Sequence, residues 1–299
     1  MKQRVIALGF FDGVHLGHGQ LLSHCRQEAD RLGCTAAAVT FDYHPDKLIF
    51  GENVRLLSSI RDRELLMREL YGIDELLTIH FNRATQEMPW QEFLQKVLIE
   101  RYNAVGVICG YDFRFGALGE GTSAKLQAAA ARMGIGCAVV PEFLLEGVPV
   151  SSTTIRDLLS RGQVDKARRY LGHPQLLSGL VVGGRQLGRT MGTPTANIVP
   201  DPDLLLPPRG VYACRVRTKC GIYMAVTNIG LRPTVDGDSL TVEAWLLDFD
   251  GDLYGQVVTL ELWHHLRGEK KFDSLEALRQ EIRHNAVQTR EFFADVSQM

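Results

Sequence analysis

The residues with the clearest chemical potential stand near the start of the chain, in the stretch GFFDGVHLGH at residues 9–18. A strand-like apolar run precedes this stretch, and a helical pattern follows it. His15 and His18 are three residues apart, so on the first turn of a helix they share one face. Unpaired N–H groups at a helix N-terminus attract phosphate, and Gly17 leaves the backbone open to a close ligand. The pattern indicates that two imidazoles donate hydrogen bonds to a polyphosphate.

Other interpretations of this turn are a known nucleotide-binding signature and an ordinary pair of histidines. It matches neither G-x-G-x-x-G nor G-x-x-x-x-G-K-[ST], so the signatures of dinucleotide-binding dehydrogenases and of P-loop enzymes are missing. An H-x-x-H pair by itself is also typical of surface or helix-capping histidines. The form H-x-G-H after a strand and an F-D-G turn is more restrictive, and we interpret it as a phosphate site.

A second candidate phosphate site lies in VSSTTIRDLL at residues 150–159. Ser and Thr before a helical run are good N-caps, which explains the hydroxyl groups of Ser152 and Thr153 without any ligand. Arg156 is not explained in that way, because a cation in the first turn opposes the helix dipole. A bound triphosphate would reverse this penalty.

The second half of the chain contains a glycine-rich stretch, GGRQLGRTMGTPTANI, at residues 183–198. Such turns allow backbone amides to surround phosphates, and the oxygens of Thr195 and Asn197 suit Mg²⁺. An ordinary Gly/Pro loop of a β-domain is the alternative. Further along, Glu243 shares a strand face with Thr241, Trp245 and Leu247. An acid on that face indicates either a site or an exposed strand carboxylate.

The hydrophobic periodicity changes along the chain, and with it the secondary structure that must position these residues. Residues 4–172 alternate apolar runs with helical patterns, which predicts βαβ units and a parallel sheet. The predicted strands are 4–10, 35–41, 76–81, 104–113 and 137–142, and the predicted helices are 17–32, 59–71, 89–102 and 122–134. Sites in such sheets lie beyond the carboxyl ends of the strands.

After residue 173 the pattern becomes that of sequential strands joined by Gly, Pro and Asp turns, which predicts an antiparallel barrel or sandwich. These strands are 176–184, 210–218, 221–230, 240–249 and 256–266, and one helix at about 274–294 closes the chain. We therefore predict two domains, 1–173 and 174–299.

Composition limits the classes of function. The chain has 299 residues, 45% of them hydrophobic, and a formal net charge of −2. A basic excess is missing, which argues against nucleic-acid or membrane-surface partners. The six cysteines show no metal-binding spacing and indicate buried thiols in a reducing compartment. No apolar stretch approaches 18 residues, so we expect a cytoplasmic protein, and the sequence leaves its oligomeric state open.

Taken together and in this order, the motifs resemble a known family. GFFDGVHLGH, TFDYHP (40–45), GYDFRFG (110–116) and SSTTIR (151–156) look like the adenylyltransferase module of the prokaryotic bifunctional riboflavin kinase/FAD synthetases. GTPTAN (192–197) is similar to the flavokinase G-x-P-T-A-N signature, and several later stretches also follow the kinase module. The resemblance covers nearly the whole chain.

The resemblance implies an α/β protein with a Rossmann-like nucleotidyltransferase sheet and a riboflavin kinase-like antiparallel β-barrel with a terminal helix. Domain 1–173 would be the FMN adenylyltransferase and domain 174–299 the riboflavin kinase. The implied catalytic residues are His15, His18, Arg156 and the base Glu243. The implied ATP or phosphate contacts are Gly9, Phe10, Asp12, Gly17, Ser152, Thr153, Gly188, Arg189, Gly192 and Thr195. Asp112 and Phe113 would bind flavin, and Thr195 and Asn197 would bind Mg²⁺.

The implied function is FAD synthesis in two ATP-dependent steps, with riboflavin, FMN, FAD and ATP as the small-molecule partners. FMN and FAD would then be substrate and product rather than prosthetic groups. Thr193 stands where the family usually has Phe, and Trp245 stands where a smaller or imidazole residue is common. These departures keep open a monofunctional FMN adenylyltransferase with a weak kinase domain. A non-catalytic flavin or nucleotide sensor and a flavin-independent nucleotidyltransferase are further alternatives.

Overall fold

The computed structural model describes residues 2–49, 51, 54–184, 192–234 and 237–296. The chain divides into two compact units, one formed by Met1–Arg55 and Ile60–Ser152, the other by Leu56–Ser59 and Thr153–Met299. The boundary between functional domains after residue 173 stays a prediction.

The first unit is built on the expected parallel sheet. Its strands are β1 (Arg4–Leu8), β2 (Thr35–Phe41), β3 (Glu75–Ile79), β4 (Ala104–Gly110), β5 (Arg114–Phe115), β6 (Gly121–Thr122), β7 (Gly136–Val140), β8 (Leu144–Leu145) and β9 (Val148–Pro149). The sheet order is β3-β2-β1-β4-β7, and neighbouring strands are parallel. β5 pairs with β6, and β8 with β9, as short antiparallel hairpins. The carboxyl ends of β1, β2 and β4 therefore lie side by side at one edge.

Helices flank this sheet because their apolar residues recur at helical spacing. They are α1 (Leu16–Leu32), α2 (Pro45–Ile49), α3 (Ile60–Tyr71), α4 (Arg83–Gln86), α5 (Trp90–Glu92) and α6 (Ser123–Met133). The predicted helix 89–102 is α-helical only in α5 and continues as a π-helix over Phe93–Arg101. The π-helix still buries four apolar side chains in the core, those of Phe93, Leu94, Val97 and Leu98.

The second unit is a closed antiparallel barrel with strand order β10-β11-β14-β13-β12-β15. The strands are β10 (Gln175–Val182), β11 (Ala196–Pro200), β12 (Gly210–Thr218), β13 (Gly221–Thr234), β14 (Gly237–Leu246) and β15 (Val257–Gly268). Pairing of β10 with β15 closes the barrel. The helices of this unit within the described residues are α7 (Ser152–Ser160, counted in this unit from Thr153), α8 (Val164–Leu171) and α9 (Leu275–Val296). β11 lies where the sequence indicated a loop, and it pairs on both sides, with β10 and β14.

Gly179 allows β10 and β11 to pair closely, which leads to a stability prediction. A Cβ at this position would clash with the backbone carbonyl of Val199 and the side chain of Ile198. We expect Gly179→Ala to lower the free energy of unfolding of the barrel by about 1–3 kcal/mol, as overpacking does. Chemical denaturation checks this value. Gly183→Ala is the matched control, because a Cβ there meets nothing within 4 Å. Equal stability of the two variants would contradict the prediction.

Two expectations from composition can be compared with this structure. Cys25, Cys109 and Cys214 are buried free thiols, as predicted, whereas Cys34 and Cys137 are half-buried and Cys220 is exposed. The prediction was wrong for Cys220 because this residue lies in the turn between β12 and β13.

Among the helices of the described residues, none is long and apolar enough to cross a membrane.

Candidate active sites

The chain leaves β1 through a tight turn that is held in an unusual conformation. Phe11 and Val14 have positive φ angles of 57° and 42°, in the left-handed region, although both side chains are fully buried. Non-glycine residues remain there only where surrounding packing fixes them, and such strain clusters at functional sites. The turn ends at His15, the N-cap residue of α1. The first predicted motif thus forms a rigid entry into the helix.

His15 has a defined tautomer because of this cap. Its Nδ1 accepts a hydrogen bond from the backbone N–H of His18 at 3.2 Å. A ring nitrogen that accepts carries no proton, so the proton of the neutral imidazole is on Nε2. His15 is 6% exposed. The cap therefore leaves a single N–H donor on a nearly buried ring.

His18 stacks on His15, with ring centroids 3.6 Å apart and an interplanar angle of 16°. Its Nδ1 is buried and has no hydrogen-bond partner among the described residues. Burial lowers the pKa of His18 well below 6.5, and the neighbouring His15 and Arg63 lower it further. The imidazole is therefore neutral at pH 7. The predicted pair is brought together as two stacked rings at the start of α1.

Gly17 fits against the capping histidine, which gives a second prediction. A Cβ at this position would lie 3.1 Å from Cε1 of His15 and 3.4 Å from the backbone oxygen of Val150. We expect Gly17→Ala to displace the His15 ring and to reduce adenylyl transfer roughly 10- to 100-fold, since small misplacements have effects of that size. Initial rates of FAD formation from FMN test it, and FMN formation from riboflavin by the same protein is the control. An unchanged rate of FAD formation would contradict the role of this turn.

The second phosphate motif begins helix α7. Ser152 donates a hydrogen bond from its Oγ to the backbone oxygen of Asp12 at 2.9 Å, so the start of α7 is tied to the turn after β1. Thr153 is exposed, and Arg156 is half-buried. Arg156 follows Ser152 by four residues and shares its helix face. The roles of Thr153 and Arg156 stay predictions.

The third motif, GYDFRFG, follows β4, whose carboxyl end adjoins that of β1. Asp112 is exposed, and Phe113 is half-buried. The Phe113 ring stacks on Phe115, with centroids 5.4 Å apart and an interplanar angle of 16°. Asp112 and Phe113 therefore follow a strand whose carboxyl end lies next to that of β1. Their contact with flavin stays a prediction.

Arg63 is a residue of this site that we did not predict from the sequence. It lies on α3 and is only 1% exposed, and its guanidinium binds backbone and hydroxyl oxygens at the ends of β1 and β2. The sequence contained a pattern that could have indicated this residue. Arg63 shares a helix face with the apolar residues Leu66 and Met67, which follow it by three and four positions. A cation on the apolar face of a helix indicates a buried partner or a site.

The second unit contains a cavity of about 720 Å³ beside the barrel. Glu243 lines it and is half-buried. Glu243 lies opposite Asn197 of β11 on one side and Asn228 of β13 on the other. Val242 and Ala244, its neighbours in β14, are buried on the opposite face. Glu243 on this strand face thus lines the cavity, and its role as a site residue stays a prediction.

Of the glycine-rich stretch at 183–198, the structure describes residues 183–184 and 192–198. Gly188 and Arg189 lie outside the described residues, so their predicted phosphate contacts stay predictions. Gly192 has φ 74°, in the left-handed region. Thr195 lines the same cavity as Glu243. A Cβ at Gly184 would clash with the side-chain amide of Asn197, so the chain passes directly over the predicted metal ligand.

The two residues that depart from the family pattern both line this cavity. Thr193 is 3% exposed. Trp245 is partly buried and packs against a small core cluster that contains Leu247 and the α9 residue Ala286. Both residues therefore form walls of the site without closing it.

Helix α9 forms another wall of the cavity. Asn285 on this helix is 1% exposed, and its Oδ1 accepts hydrogen bonds from Nε and Nη2 of Arg267 at 3.2 and 3.1 Å. Lys270 and Lys271 lie at the same cavity. The sequence predicted α9 but not Asn285, although a polar residue on the apolar face of the helix is a usable signal. These cations suit a phosphorylated ligand.

Comparisons with known proteins assign each half of the chain to a known family. The FAD synthetase family model matches residues 1–154, and the riboflavin kinase family model matches residues 171–293. A bifunctional riboflavin kinase/FMN adenylyltransferase from Haemophilus influenzae is 36% identical over 96% of this chain and 94% of its own length. The protein of the same name from Listeria monocytogenes is 33% identical over 97% of this chain and 93% of its own length.

A crystal structure from Streptococcus pneumoniae, described as a macrolide-efflux protein, is similar over the full length. It has a TM-score of 0.81 and 30% sequence identity, and the match covers 97% of this chain and 94% of the other. Together, the two family models and the two folds define a transferase with two catalytic modules. The chain belongs to the family of bifunctional riboflavin kinase/FMN adenylyltransferases.

Proposed function

We propose that this enzyme makes FAD from riboflavin in two reactions, each carried out by one module. Riboflavin and ATP give FMN and ADP at the barrel cavity, and FMN and ATP then give FAD and pyrophosphate at the histidine turn. The observation that carries the proposal is the contrast between the two sites. One has a carboxylate facing a cavity, and the other has two stacked imidazoles at a helix start.

Glu243 supplies the general base of the first reaction. The ribityl hydroxyl of riboflavin is neutral near pH 7, and its attack on the γ-phosphorus of ATP is helped when a carboxylate takes the proton. The new O–P bond forms as the bond to the β-phosphate oxygen breaks, and ADP leaves. Asn197 and Asn228 flank Glu243 in the sheet and limit its movement. The cavity takes the flavin and restricts water.

The second reaction needs no base, because the terminal phosphate of FMN is already ionised and nucleophilic. Its oxygen attacks the α-phosphorus of ATP, and pyrophosphate leaves with the electron pair of the broken P–O bond. His15 and His18 donate hydrogen bonds where negative charge grows. Arg156 adds a cation, and the hydroxyls of Ser152 and Thr153 bind phosphate oxygens. Asp112 and Phe113 hold the flavin end of FMN.

Mg²⁺ is the metal that fits both steps. Thr195 and Asn197 would hold it in the kinase module, because both offer neutral oxygens and Mg²⁺ shares its ligands with nucleotide phosphates. Among the described residues there is no group of three or more His, Cys, Asp or Glu that could hold a metal. When bound, Mg²⁺ neutralises phosphate charge. Since ATP is an intracellular substrate, we place the enzyme in the cytoplasm.

Chromatography of riboflavin, FMN and FAD after incubation with ATP and Mg²⁺ tests this function. We expect FMN to appear first and FAD to follow, with ADP and pyrophosphate as the second products. Formation of FAD from added FMN but never from riboflavin would instead support the monofunctional adenylyltransferase. Absence of both products from a folded protein would leave the sensor as the better description.

A further inference from the structure

The buried guanidinium of Arg63 connects two strand ends of the adenylyltransferase site. Nη1 of Arg63 donates to the backbone oxygen of Phe10 at 3.2 Å, to Oγ1 of Thr40 at 3.1 Å and to the backbone oxygen of Phe41 at 3.4 Å. Phe10 follows β1, whereas Thr40 and Phe41 end β2. A buried cation is costly unless polar groups surround it. Here the groups around it include the backbone and hydroxyl oxygens at the carboxyl ends of β1 and β2.

The same side chain also fixes the aromatic ring of Phe10. The guanidinium carbon of Arg63 lies 4.2 Å from the centroid of that ring, and the His44 ring contacts it edge-on at 4.5 Å. The backbone oxygen of Phe10 accepts a further hydrogen bond from Oγ1 of Thr40 at 2.8 Å. Ring and carbonyl of Phe10 are thus both held immediately before Phe11, whose φ of 57° requires such support.

The positive charge of Arg63 also acts on the residues of the histidine turn. Nη2 of Arg63 lies 4.0 Å from Oδ1 of Asp12, and both residues are almost fully buried. Burial is the largest cause that lowers the pKa of His18, followed by the charges of His15 and Arg63. A cation near His18 disfavours the imidazolium form. Arg63 therefore helps to keep His18 uncharged.

We infer that Arg63 is a positioning residue for adenylyl transfer, which fixes the turn before His15. The inference rests on the proposed function of those two histidines. Arg63 is too deeply buried to act as a phosphate ligand itself. Arginine is required because its planar group donates several hydrogen bonds in fixed directions, which a lysine ammonium cannot do.

Two substitutions separate geometry from charge. Arg63→Lys keeps the cation but loses the planar set of donors, and Arg63→Met loses both. Arg61→Met is the matched control, because Arg61 lies on the same helix and is exposed. We expect kcat for FAD formation to fall about 10-fold in Arg63→Lys and about 100-fold in Arg63→Met, with smaller changes in KM for ATP, as for a loss of alignment. FMN formation by the same proteins should not change.

A titration of His18 by NMR gives a readout that a merely structural role would not move. The pKa of His18 should rise in Arg63→Met, because a nearby positive charge has been removed, and should stay near the wild-type value in Arg63→Lys. The acidic limb of the pH profile of FAD formation should move to higher pH in Arg63→Met alone. Thermal unfolding and one-dimensional NMR spectra establish that the variants are folded.

The outcomes distinguish this inference from the proposed function. A folded Arg63→Met with kcat within threefold of the wild type, and with an unchanged His18 titration, would overturn the role of Arg63 and leave the histidines as proposed. If Arg63→Met does not fold, Arg63→Lys decides by the same kcat criterion. If alanine at His15 and His18 leaves FAD formation intact, the proposed function fails first, and the inference fails with it.

Discussion

Replacing His18 with alanine is expected to reduce FAD formation from FMN roughly 10²- to 10³-fold, the usual effect of removing one donor that stabilises transition-state charge. The His15→Ala variant should lose at least as much, because His15 also caps α1 through the N–H of His18. A variant with alanine at both positions would lack both imidazole hydrogen-bond donors at the start of α1. FMN formation from riboflavin should remain at the wild-type rate, because it occurs in the other unit. Initial rates with each flavin measure both effects.

His24→Ala is the control for these histidine variants. His24 lies on the same helix but is exposed, so both activities should be retained. If His18→Ala and His24→Ala made FAD at equal rates, the histidine turn would not be the adenylyl-transfer site. Equal loss of both activities in folded His18→Ala would instead contradict the separation of the two reactions.

Replacing Glu243 with glutamine is expected to have the reverse effect. The amide keeps the size of the side chain but cannot take a proton, so FMN formation should fall about 10²- to 10⁴-fold, as for removal of a general base. FAD formation from supplied FMN should be unchanged. Fluorescence or chromatographic assays with riboflavin, and separately with FMN, measure the two rates.

Glu291→Gln is the matched control for the base, because Glu291 is exposed on α9. Both activities should be preserved in that variant. A folded Glu243→Gln that phosphorylates riboflavin at more than a third of the wild-type rate would exclude Glu243 as the base. The cavity would then remain a candidate flavin site with another proton acceptor.

The sequence predicted the parts of the fold that follow from hydrophobic period. Continuous apolar strands alternating with helices predicted the parallel sheet, and the sequential strands after residue 173 predicted an antiparallel barrel or sandwich, of which the structure has the closed barrel. β11 was missed because Gly and Pro around GTPTAN indicate a loop, whereas pairing with β10 and β14 decides its conformation. Long-range pairing of this kind leaves little trace in local propensity.

The candidate sites were predicted where chemistry depends on residue type at short spacing. His15 and His18 were predicted on one face of a first helical turn, but His15 is the extended N-cap residue before α1, and its ring stacks on that of His18. Arg63 and Asn285 were missed because their partners are distant in the chain: Phe10 lies 53 residues from Arg63, and Arg267 lies 18 residues from Asn285. Only a polar residue on an apolar helix face could have indicated them.

Mixing the two inactive variants tests the central claim most directly. His18→Ala alone should convert riboflavin to FMN and stop there, and Glu243→Gln alone should leave riboflavin unchanged. Incubated together with riboflavin, ATP and Mg²⁺, they should produce FAD, since FMN released by one protein is adenylylated by the other. Failure of the mixture to produce FAD while FMN accumulates, or FAD formation from riboflavin by either variant alone at the wild-type rate, would contradict the assignment of one reaction to each module.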